Sequence, residues 1–349
     1  MEFGVFHEFP SLTGRSDEAA FEEAFDIVDA AERWGLDVMW LAELHFDPLR
    51  SVLSSPMCIA SAIAARTKRI KIGVAVQVLP LGNPLRIAEE AATVDQISHG
   101  RLIFGAGRSG VAKTYEAYNV PYAESKERFN ETLDIIRRAW TETNFSHAGK
   151  YFCFEDVTVT PRPFQNPTPP IRIAATSPDT FVSIGELGMP IFLAIRHEDA
   201  RRFAPQVESY RKAWRQAGHP GNGQVFLRAP GFVAETDADA KARYEASLLH
   251  YFRAQGRLLA DSARRLGLEP SNPRFATAEG LATMTFDQAN EGSVMIGSPD
   301  QVTRKIEAIR DDMGLDGVLL ELNCGGKVVH AHEMEALRLL CEEVQPRFH

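Results

Sequence analysis

From residue 2 to residue 344 the chain alternates short apolar runs with longer segments whose apolar residues recur at helical spacing, and few folds accommodate that rhythm. Strands are expected at residues 2–7, 38–41, 70–78, 101–106, 171–175, 191–194, 225–234 and 317–321. Between them the spacing predicts helices. Over residues 17–34, Phe21, Phe25, Val28 and Ala31 share one face and Gly35 ends the run. Pro84 opens the helix over 84–97, where its missing N–H costs nothing. Further helices are expected at 54–65, 124–142, 179–187, 199–217, 237–266, 299–313 and 330–344. Two segments break the pattern. Phe152, Phe154, Val157 and Val159 within 150–163 predict a hairpin leading into the proline-rich PRPFQNPTPP, and 267–292 reads as a long polar loop of the kind that forms a lid. Strands alternating with helices imply a parallel sheet. About eight such units in 349 residues predict one α/β domain over residues 1–349, a closed (β/α)8 barrel.

Several function classes fall away on composition. Lys and Arg number 38 against 47 Asp and Glu, a formal charge of −9, and no basic patch suits nucleic acid. No apolar run approaches the roughly 18 residues that span a bilayer, and Met1-Glu2-Phe3-Gly4 lacks the basic start of a secretory leader. Cys58, Cys153, Cys324 and Cys341 are scattered without a Cys-x-x-Cys pair, so neither a disulfide framework nor a zinc site is expected, and a reducing cytoplasm is the expected compartment. His330-x-His332 lacks a third ligand.

In such barrels chemistry sits where strands end. After the second strand, WLAELHF places Glu43, a carboxylate that needs a partner in an apolar neighbourhood, two residues before His45. Both are candidate catalytic residues, and an imidazole titrating near neutrality suits proton transfer. After the third strand, the prolines and Asn83 of QVLPLGNP read as turn chemistry. After the fourth, GAGRSG matches G-x-G-x-x-G. A dinucleotide fingerprint would open a helix, whereas residues 115–121 read as loop and three strand–helix units precede the motif. The simpler reading is a loop whose N–H groups, with Arg108, cradle a phosphate while Gly105 and Gly107 allow close approach of the ligand. After the fifth, Ser177 and Thr180 flank a helix start, a second anion-favouring element on the same rim.

Taken in order, MEFGVF, WLAELHF, IGVAVQVLPLGNPLRIAEEAATVDQISHGRLIFGAGRSG, IAATSPDT, IGSPDQV and LELNCGG resemble the bacterial luciferase-like flavin-dependent monooxygenases over nearly the whole chain. The resemblance implies a TIM barrel that binds reduced FMN (FMNH2), supplied by a separate flavin reductase. It implies that O2 adds to the flavin, and that the resulting peroxide oxidises a small organic substrate such as an aldehyde or ketone. It places Arg108, Lys126, Ser177 and Thr180 at phosphate-contacting positions, Lys126 standing where the luciferase catalytic subunit has arginine. It places Ala75-Val76 at a non-proline cis peptide beneath the flavin ring, and it implies a homodimer. Departures are visible too: Leu44 replaces the first His of the Glu-His-His-Phe motif, Gly107 a reactive cysteine, Thr114 an acid, and Ile195 a tryptophan lining the ring. They leave open a deazaflavin-dependent hydride-transfer enzyme on the same barrel, or a non-catalytic flavin-binding partner.

Overall fold

The computed structural model describes residues 1–10, 15–175, 178–196 and 199–349. Its strands are β1 (Glu2–His7), β2 (Val38–Leu41), β3 (Lys71–Val78), β4 (Leu102–Gly107), β5 (Phe145–Ala148), β6 (Cys153–Val157), β7 (Ile171–Ala174), β8 (Ile191–Ala194), β9 (Val225–Val233), β10 (Met295–Gly297) and β11 (Gly317–Glu321). The helices are α1 (Asp17–Trp34), α2 (Pro56–Arg66), α3 (Pro84–Ser98), α4 (Ala112–Ala117), α5 (Ser125–Thr141), α6 (Pro178–Leu187), α7 (Ala204–Gln216), α8 (Asp237–Arg265), α9 (Pro273–Thr283), α10 (Phe286–Glu291), α11 (Pro299–Met313) and α12 (His330–Leu339).

Eight strands close on themselves in the order β1-β2-β3-β4-β7-β8-β9-β11, each parallel to its neighbours, with Glu2 opposite Gly317 where the ring joins. This is the expected (β/α)8 barrel. The hairpin is β5–β6, beginning at Phe145, earlier than the hydrophobic pattern suggested. Strand β10, which the pattern did not reveal, pairs with the C-terminal extension of β9, Met295 opposite Gly231.

Local chemistry accounts for several helix ends. Ser16 accepts the Ala19 N–H at the start of α1, and Gly35 ends it at φ 89°, a conformation that costs glycine nothing. Asn83 caps α3 ahead of Pro84, and Ser298 caps α11 ahead of Pro299. Inside the barrel, the fully buried Trp40 lies across Gly4 and Gly73, where a Cβ would overlap its indole. Truncating such a side chain typically costs about 3–5 kcal/mol. Arg172 donates to both oxygens of Glu2 at 2.6 and 3.0 Å and lies 3.5 Å from the centre of the Phe226 ring. Glu2 opens β1, so this pair plugs the N-terminal end of the barrel and leaves the C-terminal rim for function.

Residues 267–292 are not an irregular lid: most of them form α9 and α10. Asn272-Pro273 starts α9 and a Thr285/Gln288 capping box starts α10. Their buried Leu281, Phe286 and Ala289 join a second apolar cluster with Tyr244, Leu248 and Phe252 of α8. Residues 115–121, read as loop, begin inside the short helix α4. Among the described residues no helix is long and apolar enough to cross a membrane, and no His, Cys, Asp and Glu cluster could hold a metal ion.

Candidate active site

Glu43 and His45 follow β2 directly, and their side chains are 6% and 9% exposed. Glu43 Oε1 lies 2.9 Å from His45 Nε2, while Oε2 accepts from Gln77 Nε2 at 2.7 Å and from the Val78 N–H at 2.8 Å. An ionised carboxylate only accepts, so Nε2 carries the hydrogen that faces it. With Nε2 as the donor, Nδ1 is left as the ring's acceptor, and the Tyr118 hydroxyl stands 3.4 Å from it. Burial and the charge of Glu43 both push the Tyr118 phenol up, so it remains a donor at neutral pH. The arrangement holds one imidazole in one tautomer, with its acceptor nitrogen facing the Tyr118 hydroxyl.

The Glu43 contacts to β3 fall just past an irregularity in that strand. The Ala75-Val76 peptide is cis, as the resemblance implied. The pairing of β3 with β4 slips there, from Val74 opposite Phe104 to Gln77 opposite Ala106. The extra residue pushes β3 toward β4. A Cβ on Gly105 would overlap the Val74 carbonyl, and one on Gly107 would overlap the Val76 side chain. Gly105 and Gly107 are therefore required by the neighbouring strand, whereas a Cβ on Gly110 would meet nothing within 4 Å.

Arg108 is the first residue beyond β4 and is half-buried, and its guanidinium has no hydrogen bond or ion pair among the described residues. Its carbonyl accepts from the hydroxyl of the buried Tyr115, which is also hydrogen-bonded to Ser125, the first residue of α5. Tyr115 thus ties Arg108 to the helix end that carries Lys126, an exposed side chain without an ion pair among the described residues. Thr180 lies in the first turn of α6 and is half-buried. Because β4 and β7 are neighbours, Ala106 opposite Ile173, the segments bearing Arg108 and Thr180 leave the barrel side by side. Ser177 lies outside the described residues.

The model of the luciferase-like monooxygenase family matches residues 1–317. This chain belongs to that family. Among its relatives in the luciferase-like family, limonene 1,2-monooxygenase of Rhodococcus erythropolis is 25% identical over 100% of this chain and 87% of its own. The oxygenase component of the flavin-dependent trigonelline monooxygenase of Acinetobacter baylyi is 24% identical over 100% and 96%. Among solved structures, monooxygenase RslO1 of Streptomyces bottropensis superposes with a TM-score of 0.85 at 24% identity, covering 100% of both chains. The oxygenating constituent of the Pseudomonas putida 3,6-diketocamphane monooxygenase, solved with FMN, gives 0.80 at 23%, covering 99% and 98%. The F420-dependent tetrahydromethanopterin reductase of Methanopyrus kandleri gives 0.71 at 20%, covering 100% and 99%.

In this luciferase-like barrel α9 touches the rim through Arg274, which donates to the Tyr122 hydroxyl at 3.3 Å, and the cavity itself is bordered by α8. Its Leu258 lines that cavity with Leu44, His45, Val78 and Thr114. Ser262 accepts from the Ala112 N–H at 3.3 Å, and Arg265 reaches Glu116 at 2.6 Å, so α8 holds α4 in place.

Beside that cavity lies a polar network that the sequence reading passed over. Glu8 follows β1 and pairs with Arg50, whereas Glu321 ends β11 and pairs with Arg228 of β9. Arg228 also donates to Tyr251 of α8 at 3.0 Å. Burial pushes the Glu8 carboxyl up, but Arg50, then Arg228 and His7, outweigh it and hold it below its ordinary value. Burial pushes Glu321 up to about 8, and Glu8 adds to this while Arg228 opposes it. Two signals were present in the sequence: carboxylates at the ends of barrel strands, and a lone arginine within the apolar run VFLRAPGFV.

Proposed function

We propose that the chain is the FMN-dependent oxygenase of a two-component monooxygenase: it takes FMNH2 from a separate flavin reductase and uses O2 to oxidise a small organic substrate. The observation that carries this reading is the Arg108 guanidinium, half-buried at the end of β4 with no partner among the described residues. Withdrawing a cation from water costs free energy that a bound anion recovers. Arg108, Lys126, Thr180 and Ser177 would hold the FMN phosphate, and Ala75-Val76 would support the ring. The FMN complex of a structural neighbour and the flavin-dependent relative support the choice of cofactor. Bound in reduced form, FMN supplies the electrons that activate dioxygen.

The protein's own share follows from the geometry. Glu43 orients His45 by accepting from Nε2, which leaves Nδ1 to take up a proton at the cavity wall and return it. Helix α8 covers the mouth and keeps bulk water from the reacting atoms. Anaerobic titration tests the reading, with FMNH2 and reduced deazaflavin compared on the same protein, followed by oxygen admitted with candidate substrates. Tight FMNH2 binding with substrate-dependent oxygen incorporation is expected. Binding of reduced deazaflavin alone would replace the reading by hydride transfer, and FMNH2 binding without oxygen incorporation would reduce the chain to a flavin carrier.

A further inference from the structure

One wall of the cavity in front of His45 is used neither by the His45–Glu43 pair nor by the phosphate residues. Arg50 lines it, among Leu44, Val78, Val111 and Leu258, and the space of about 20 Å³ between them admits one small oxygen-bearing group of a substrate, not the whole molecule. The Arg50 side chain is 16% exposed and that of its partner Glu8 7%. Nε donates to Glu8 Oε2 at 2.8 Å and Nη2 donates to Oε1. From α8, Gln255, with its amide oxygen turned toward Arg50, accepts from Nη1 at 2.9 Å and from Nη2 at 3.1 Å. A guanidinium has five N–H donors, and these contacts occupy four. Among the described residues one donor on Nη1 is left over, on a group whose position is already set from two sides.

We propose that Arg50 is a specificity-determining residue of the substrate subsite, donating its remaining N–H to a carbonyl or carboxylate oxygen on an otherwise apolar substrate. The inference rests on the reading of this cavity as the place where substrate meets the cofactor. A desolvated donor discriminates strongly, because an analogue without the acceptor leaves the donor unsatisfied. Holding by Glu8 and Gln255 removes most of the entropy cost of ordering the arginine on binding. The surrounding charge acts in the same direction. Arg50 and Arg228 face Glu8, which the two arginines hold below its ordinary value, and Glu321, which burial pushes up. Tyr251, packed against both arginines, is pushed up by burial and adds no charge. Glu43 is engaged by His45, Gln77 and Val78, and Asp47 on the same wall disfavours ligands with more than one negative charge.

The test is ligand-observed NMR titration of the full chain, with and without FMN, using cyclohexanone, cyclohexanecarboxylate and the hydrocarbon isostere methylenecyclohexane. One or both oxygen-bearing probes should bind at least about tenfold more tightly than the isostere. Arg50→Met should abolish the preference, and Arg50→Lys should keep part of it. Glu8→Gln combined with Arg50→Met removes both partners of the ion pair, so loss of preference in that folded double variant separates recognition from misfolding. Ketone preference alone identifies a carbonyl subsite, and carboxylate preference alone an anion subsite. Equal binding of all three probes, no binding of any, or a preference that survives Arg50→Met overturns the proposal. FMN affinity of the wild type, read in the same series, tests the functional reading separately, because the probe comparison is also made on flavin-free protein.

Discussion

Arg108→Ala is the substitution on which the phosphate argument can be examined most directly. The guanidinium holds nothing in the protein: it has no hydrogen bond or ion pair among the described residues, and only the residue's carbonyl is engaged, by Tyr115. Removing a half-exposed side chain with no partner should therefore change unfolding free energy by no more than about 0.5 kcal/mol. A charge-assisted hydrogen bond to an anion is worth about 1.5–3 kcal/mol, so FMN affinity should fall roughly 10- to 150-fold. Arg108→Lys should recover part of the loss, since lysine keeps the charge without the planar fork. Flavin affinity is read from fluorescence titration, and stability from urea denaturation of the same preparations. Unchanged affinity in Arg108→Ala would remove this residue from the cofactor site. A loss of stability matching the loss of affinity would show that the guanidinium is a structural group.

Gly107→Ala forces a Cβ into Val76, and overpacking of that kind costs about 1–3 kcal/mol; a melting temperature equal to wild type would show that β3 yields freely. His45→Gln should lower turnover by about 10²- to 10⁴-fold while leaving FMN affinity within a factor of about two, and a parallel loss of both would make His45 a binding residue. Glu321→Gln addresses the buried network through pH. Because its folded value is about 8 against an ordinary 4.5, the native state keeps a proton that the unfolded chain releases between those values. The stabilisation is complete below about pH 4.5 and is lost as pH rises toward 8. The stability advantage of wild type over Glu321→Gln should accordingly shrink between pH 5 and pH 8 in thermal melts, and a pH-independent difference would contradict the assignment.

What sequence periodicity established unaided was the order of the eight barrel strands and of the main helices between them, and with it the barrel. Apolar residues must face a core, and a 2- or 3.6-residue repeat shows which element can do so. Gly35 marked a helix end, and Ser16, Asn83 and Ser298 close others through local hydrogen bonds that hardly depend on the rest of the chain. The motif WLAELHF could mark Glu43 and His45 as candidates, but the convergence of His45, Gln77 and Val78 on one carboxylate joins β2 to β3 across more than thirty residues. Tertiary packing alone revealed that Gly105 and Gly107 make room for a bulged neighbouring strand, and that residues 267–292 fold against α8. It alone assembled Glu8, Arg50, Arg228 and Glu321 into one network. Periodicity records which way a side chain points along its own element; which charges meet at the mouth of a barrel depends on closure of the ring, and that is a property of the whole fold.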